Sequence, residues 1–212
     1  AAWAIGGPSA TTDSDSTKTM SGYSFTEARR TRTFWVFCAI QFLFLPSLTT
    51  IPLHIVVHGM DLGMSATVAA ALISTMALSS VLARLAVGSF FDRVGGKGTL
   101  ILCLVPLLAS LLALLVTNTH NSLFAVIVVY GFAHGGLFTV MSPVVAEYFG
   151  LKAHGALFGS IIFFGAISGS VAPVLAGYIF DTTGTYSMAF NFLIAMALSG
   201  LILTLGLPKR RA

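Results

Sequence analysis

Charge is what this sequence has least of. Only 8% of its 212 residues are Asp, Glu, Lys or Arg, against about 25% in an average soluble domain. A soluble fold of this length would need a polar surface that these residues do not supply. Cysteine is equally scarce. Cys38 and Cys103 both lie inside apolar runs, which excludes a disulfide framework and leaves two small buried hydrophobes. The acidic residues are Asp13, Asp15, Glu27, Asp61, Asp92, Glu147 and Asp181, and each falls in a tail, in a loop or at a helix end. With no carboxylate in the interior of an apolar run and no nucleophile–base pairing, the chain is not expected to be an enzyme, and no cofactor is expected. The net charge of +4 is spread over short loops and tails rather than gathered in a soluble patch, so no nucleic-acid partner is expected.

What is abundant is hydrophobic length. The composition is 56% hydrophobic and the mean hydropathy is +0.93. Apolar runs fall at 33–58, 65–91, 98–118, 121–148, 155–180 and 185–207, each long enough for a helix to cross about 30 Å of hydrocarbon. The expected fold is an all-α membrane protein with six transmembrane helices over 33–207 and a lipid bilayer as its surroundings. Residues 1–32 read as a polar linker or tail, disordered at its Ser/Thr/Gly/Asp-rich start, and 208–212 as a short tail. A linker with nothing folded before it predicts a fragment, the second half of something longer.

The basic residues set an expected orientation. Lys18, Arg29, Arg30 and Arg32 precede the first run, Arg93 and Lys97 lie between the second and third, Lys152 lies between the fourth and fifth, and Lys209, Arg210 and Arg211 follow the sixth. All fall on one side of a six-span chain, so both termini are expected in the cytoplasm, with the protein multi-pass in a plasma or inner membrane.

Two helix ends share a pattern. Gly88-Ser-Phe-Phe-Asp92-Arg-Val-Gly95 closes the second run and Gly177-Tyr-Ile-Phe-Asp181-Thr-Thr-Gly184 closes the fifth. The recurrence of G-x-x-F-D-x-x-G at the same place in each group of three predicts an inverted 3+3 repeat, as in many secondary transporters. The alternative is that glycine simply suits the left-handed cap of a helix. The third run is Leu-rich without glycine, whereas the fifth carries Gly155, Gly159, Gly165, Gly169 and Gly177, with G-x-x-x-G pairs that permit close helix approach.

The stretch GSFFDRVGGKG resembles the cytoplasmic loop signature of the major facilitator superfamily, G-x-x-x-D-R-x-G-R/K-R/K. Gly88, Asp92, Arg93, Gly95 and Lys97 match, while Gly96 stands where that pattern has a basic residue. FTEARRTRTFWVFCAIQFLF, IPLHIVVHGMDLGMSATVAAAL and AEYFGLKAHGALFGSIIFFGAISGSVAPVLAGYIFDTTGTYSMAF resemble the carboxyl-terminal half of its oxalate:formate antiporter and monocarboxylate transporter branch. The resemblance implies half of a twelve-helix alternating-access carrier whose amino-terminal six-helix half is missing here. It also implies a small organic anion as substrate and a conformational latch at Gly88, Asp92, Arg93, Gly95 and Lys97. The first and fourth helices would line a central cavity, the second and fifth would flank it, and the third and sixth would face lipid.

Arg84 is the one formal charge within a span, about 12 Å along the helix from Asp92. Holding it there costs at least about 2.5–3.5 kcal/mol, unless the side chain snorkels to the headgroups. The resemblance gives it a role: an arginine at this position relative to Gly88 contacts the substrate carboxylate. Ser80 stands where many monocarboxylate carriers have an aspartate. His134 is either hydrogen-bonded between packed helices or faces substrate, and Gln41 is a weaker candidate of the same kind. His54 and His58 lie one turn apart but lack a third ligand, so no metal is expected, and a hydrogen bond at the cavity mouth or a protonation site suits them better. Asn191 is expected to bridge helices. Asp92 lies at a carboxyl end, where the helix dipole disfavours it, and the amino end of the fifth helix near Gly155 is its expected neighbour. A second reading of the whole chain is a six-helix membrane subunit or truncated transporter product that transports nothing alone.

Overall fold

The computed structural model describes residues 21–208, so Lys18, Lys209, Arg210, Arg211 and the start of the linker lie outside the described residues. The elements are α1 (Phe25–Ala28), α2 (Arg32–Asp61), α3 (Ala66–Val116), α4 (His120–Phe149), α5 (His154–Thr183) and α6 (Ser187–Leu205). Local chemistry starts and stops them. Thr31, Ser65 and Thr119 cap the amino ends of α2, α3 and α4, each side-chain oxygen accepting a backbone N–H from inside its helix. Gly150 and Gly184 end α4 and α5 at φ 77° and 70°, where any other residue would strain.

Among the described residues, five helices are long and apolar enough to cross a membrane, where the sequence predicts six crossings. The reason is α3, whose 51 residues contain both the second and third expected crossings. Gly95 interrupts it with φ 71° and ψ 175°. Val87 and Cys103, equally far before and after Gly95, both reach Gly136 of α4: a Cβ placed there would lie 3.2 Å from Val87 Cγ2 and 2.5 Å from Cys103 Sγ. The two arms of α3 therefore fold back side by side on α4, and the sharp turn needs glycine's left-handed freedom.

The most extensive packing joins α3 to α4 and α2 to α5, with α6 laid against both α2 and α3. Prolines shape the second pair. Pro46 in α2 and Pro173 in α5 have no N–H, so the carbonyls four residues earlier lose their helical partner. Each is satisfied from across the seam. Ser168 Oγ donates to the Phe42 carbonyl at 2.7 Å, and Thr49 Oγ1 donates to the Gly169 carbonyl at 2.8 Å.

One end of the bundle is stitched by backbone. Gly22 bridges Gly150, Tyr23 N–H donates to the Phe149 carbonyl and Leu151 N–H donates to the Ser21 carbonyl. The part of the polar segment from residue 21 onward is thus clipped to the α4–α5 turn. Its short helix α1 is held by a capping box in which Ser24 and Glu27 bond reciprocally. Those Ser24 hydrogen bonds hold the Glu27 carboxyl below its ordinary pKa.

Candidate functional site

Ser80 and His134 meet where α3 crosses α4. Gly131 and Gly135 make the crossing possible. A Cβ on Gly131 would lie 2.7 Å from the Met76 carbonyl oxygen, and one on Gly135 would lie 2.6 Å from Ser80 Cα. Backbone meets backbone here, and only glycine permits it. Ser80 Oγ donates to the Gly131 carbonyl at 2.9 Å and lies 3.2 Å from His134 Nδ1. A hydroxyl has one proton, so with that proton on Gly131 the Nδ1–H of His134 is the donor to Ser80. In neutral His134 this leaves Nε2 as a free acceptor, with the ring held edge-on to Phe138 at 5.0 Å between centroids.

Arg84 lies one turn beyond Ser80 on α3. Its side chain is exposed in this six-helix bundle, whereas the sequence predicts a buried charge. The reason is that the face of α3 carrying it, with Val81, Leu85 and Gly88, is not covered by another helix of the chain. No hydrogen bond to its guanidinium occurs among the described residues. Ser80, His134 and Arg84 thus form one group on the α3–α4 seam.

Gln41 and His54 belong to the other seam. Gln41 is buried against Gly165 of α5, where a Cβ would lie 2.6 Å from Gln41 Cγ, and its Oε1 has no partner. His54 has both ring nitrogens occupied, Nδ1 with the Tyr186 hydroxyl at 3.2 Å and Nε2 with the Pro173 carbonyl at 3.1 Å. It ties α2 to α5 and to the start of α6. Asn191 is exposed and has no bridging bond among the described residues.

The loop residues divide. Gly88, Asp92 and Arg93 are exposed, and Gly155 has open space beside it, so the expected pairing of Asp92 with the amino end of α5 is not made. The turn itself is anchored. Gly96 N–H donates to Glu147 Oε2 at 2.7 Å, which places a carboxylate on the amino end of the second arm of α3. A Cβ at Gly96 would collide with that carboxylate. Lys97 Nζ donates to the Leu205 and Leu207 carbonyls at 2.6 and 2.5 Å, capping the carboxyl end of α6. Sequence reading missed Glu147. Its only signal was a carboxylate next to the apolar end of α4, with no partner in view.

The family model described as Major Facilitator Superfamily matches residues 33–212. Monocarboxylate transporter 7 of Homo sapiens is 33% identical over 180 residues, covering 82% of this chain and 33% of that protein. Monocarboxylate transporter 13 of Rattus norvegicus is 32% identical over 157 residues, covering 73% of this chain and 37% of that protein. The chain thus spans about a third of the length of these curated relatives. The crystal structure of FucP, a Major Facilitator Superfamily transporter in the outward conformation, aligns with a TM-score of 0.70 at 18% identity over 86% of this chain and 45% of that one. That likeness concerns the fold alone.

Proposed function

This chain belongs to the Major Facilitator Superfamily, and we propose that it forms the carboxyl-terminal six-helix half of a secondary transporter for small organic anions such as monocarboxylates. Arg84 carries the reading. A guanidinium in the middle of a membrane span, without a hydrogen-bond partner among the described residues and one turn from Ser80, can pair with a carboxylate held between two halves. Planar guanidinium and planar carboxylate match through two parallel hydrogen bonds. On the same seam, His134 accepts at Nε2 when neutral and donates there when protonated, which suits a group that couples anion movement to a proton. Ser80 holds that ring in place.

Both termini lie in the cytoplasm on this reading. Its support is that the segment before α2 bonds the α4–α5 turn, while the Gly95 turn bonds Glu147 near the end of α4 and the end of α6. They gather Arg29, Arg30, Arg93, Lys97 and Lys152 at one end of the bundle. An inverted repeat is supported by one pair of bonds. Ser79 Oγ donates to the Val128 carbonyl at 2.6 Å and Ser168 Oγ to the Phe42 carbonyl at 2.7 Å, and the two serines precede Gly88 and Gly177 by the same interval. Gly95 and Gly184 also share a positive φ, 71° and 70°. Asp92, exposed and unpaired here, is left to latch against the other half. Asp92→Asn should therefore lower the outward-open population, read as greater accessibility of a cysteine probe on the cytoplasmic side of the cavity.

Uptake of labelled monocarboxylates by the full-length protein in vesicles tests the function. Arg84→Ala should abolish uptake at normal membrane abundance. Arg84→Lys, which keeps the charge but loses the planar fork, should lower it strongly. Wild-type uptake by Arg84→Ala would refute the anion site.

A further inference from the structure

A groove opens where α5 passes α1. It measures about 480 Å³, and its walls are Phe25 of α1 with Gly159, Ser160, Phe163 and Phe164 of α5. Its depth comes from Gly155 and Gly159, since a Cβ on either would meet nothing within 4 Å. One turn further along α5 a second hollow of about 220 Å³ begins, between Phe42 and Pro46 of α2, Ile167 and Val171 of α5, and Phe192 and Met196 of α6. Together the two form an apolar trough lengthwise on the bundle, with Phe163, Ile167, Val171 and Phe192 exposed along it. Its hydroxyls are committed to backbone. Ser160 Oγ donates to the Ala156 carbonyl at 2.8 Å and Ser168 Oγ to the Phe42 carbonyl at 2.7 Å, so neither has a proton left for an occupant.

The mouth of the trough carries charge of one sign. Trp35 marks it: the side chain is 54% exposed, meets Phe164 edge-on at 5.8 Å between centroids, and donates its indole N–H to the Arg29 carbonyl at 3.0 Å. An exposed tryptophan with its polar edge bonded suits the headgroup level of a bilayer. Phe25 in the wall lies one turn before Arg29, and Arg32 lies one turn before Trp35 on the same face of α2. Arg29, Arg30 and Arg32 are exposed, and none of their side chains has a hydrogen bond or ion pair among the described residues. The one carboxylate of this segment, Glu27, is turned to Ser24, whose N–H and hydroxyl both donate to Oε2 at 2.7 Å. Lys152 adds to the cations, next to the Leu151 that is bonded to Ser21.

From Trp35 to Pro46 is about 16 Å along α2, close to the depth of one leaflet of hydrocarbon, about 15 Å. The trough therefore starts beneath a cluster of cations at headgroup level and ends near the middle of the bilayer. A zwitterionic lipid would fill it and leave the excess positive charge at its mouth unanswered. We propose that this trough between α1, α2, α5 and α6 binds one anionic phospholipid, with a hydrocarbon chain along Phe163, Phe164 and Phe42 and the phosphate at Arg29, Arg30 and Arg32. The guanidinium fork matches two phosphate oxygens through parallel hydrogen bonds. The site lies on the α2–α5 seam, apart from Ser80, His134 and Arg84. Bound there, the lipid ties the segment before α2 to α5 where the chain enters the membrane.

Native mass spectrometry of the full-length protein tests this, after release from bilayers of dioleoyl phosphatidylcholine and dioleoyl phosphatidylglycerol in equal amounts. One phosphatidylglycerol should be retained in preference to phosphatidylcholine. Each arginine near the surface contributes about a fivefold preference, so Arg29→Gln with Arg32→Gln should lower that preference about 25-fold. Gly159→Leu places its side chain in open space, so it should fold, fill the trough and lower retention with every charge present. Val171→Trp, at an exposed position of the second hollow, should do the same. Free glycerol phosphate in excess should not displace the lipid, because it has no chain for the trough. Equal retention of the two lipids by the wild type would overturn the proposal, as would displacement by glycerol phosphate. Wild-type retention by the double arginine variant, or by both Gly159→Leu and Val171→Trp, would do so too. The same holds if no lipid is retained, the result expected if a helix of the remaining chain covers the trough.

Discussion

The α3–α4 and α2–α5 seams use the same kind of bond to different effect. In both, a hydroxyl on one helix donates to a backbone carbonyl of the other. At α3–α4 the backbones touch, with Gly131 and Gly135 admitting Met76 and Ser80 to distances that leave no room for a Cβ. At α2–α5 a layer of side chains intervenes, with Gln41, Leu45 and Thr49 filling the space beside Gly165 and Gly169. Prolines have also removed helical hydrogen bonds from α2 and α5, and Ser168 and Thr49 stand in for them. One seam is rigid because nothing in it can move out of the way. The other is more compliant because its contacts are side chains rather than backbone. The group of Ser80, His134 and Arg84 lies on the rigid seam, where a binding geometry is best preserved.

Three experiments put this contrast at risk. The largest effect is expected from Gly135→Ala, whose Cβ meets Ser80 backbone that cannot give way. It should destabilise the bundle by about 1–3 kcal/mol and disturb the Ser80–His134 pair. Gly165→Ala meets Gln41 Cγ, a side chain rather than backbone, and should cost about 1 kcal/mol, the low end of that range. Unfolding titrations of both variants in mixed micelles measure the difference, and equal losses would erase the distinction between the seams.

A smaller effect separates the two hydroxyls. Ser168→Ala leaves the Phe42 carbonyl without any donor, because position 46 is proline, and should cost about 0.6–1.7 kcal/mol. Ser79→Ala removes a bond to the Val128 carbonyl, but position 132 is phenylalanine and keeps its N–H. Its cost should fall at or below the low end of that range. A larger loss from Ser79→Ala would show that the freed carbonyl is not what distinguishes the α2–α5 seam.

The finest test is a double-mutant cycle. Pro46→Ala restores an N–H four residues after Phe42. In that background Ser168→Ala should become nearly silent, a coupling of about 0.5–1 kcal/mol. Additive losses would mean that Ser168 does something other than replace the missing donor.

Much of this was legible in the residues themselves. Helices and their rough limits followed from apolar length and from Ser, Thr and Gly at the ends, because in hydrocarbon a backbone must satisfy its own hydrogen bonds. The one-sided basic residues predicted which ends of the helices gather together. The glycines of α4 and α5 announced close approach without naming the neighbour. His54 looked like a cavity residue, but its partners Tyr186 and Pro173 lie far along the chain, and spacing within one helix carries no information about them. Glu147 was invisible for the same reason.

The sequence by itself determined that this is a helical membrane protein, where its chain turns, and which single residue carries charge into a span. These depend on local composition and on the cost of taking charge or unpaired backbone into lipid, and both can be read residue by residue. Only the tertiary structure decided that the second and third crossings fold back about Gly95 onto one glycine of α4, and that Glu147 and Lys97 secure that turn. It alone grouped Ser80, His134 and Arg84 apart from Gln41 and His54, and brought Trp35 of α2 against Phe164 of α5. Each of these is a meeting of residues distant in the chain, settled by which helix backbones can approach closely enough to touch.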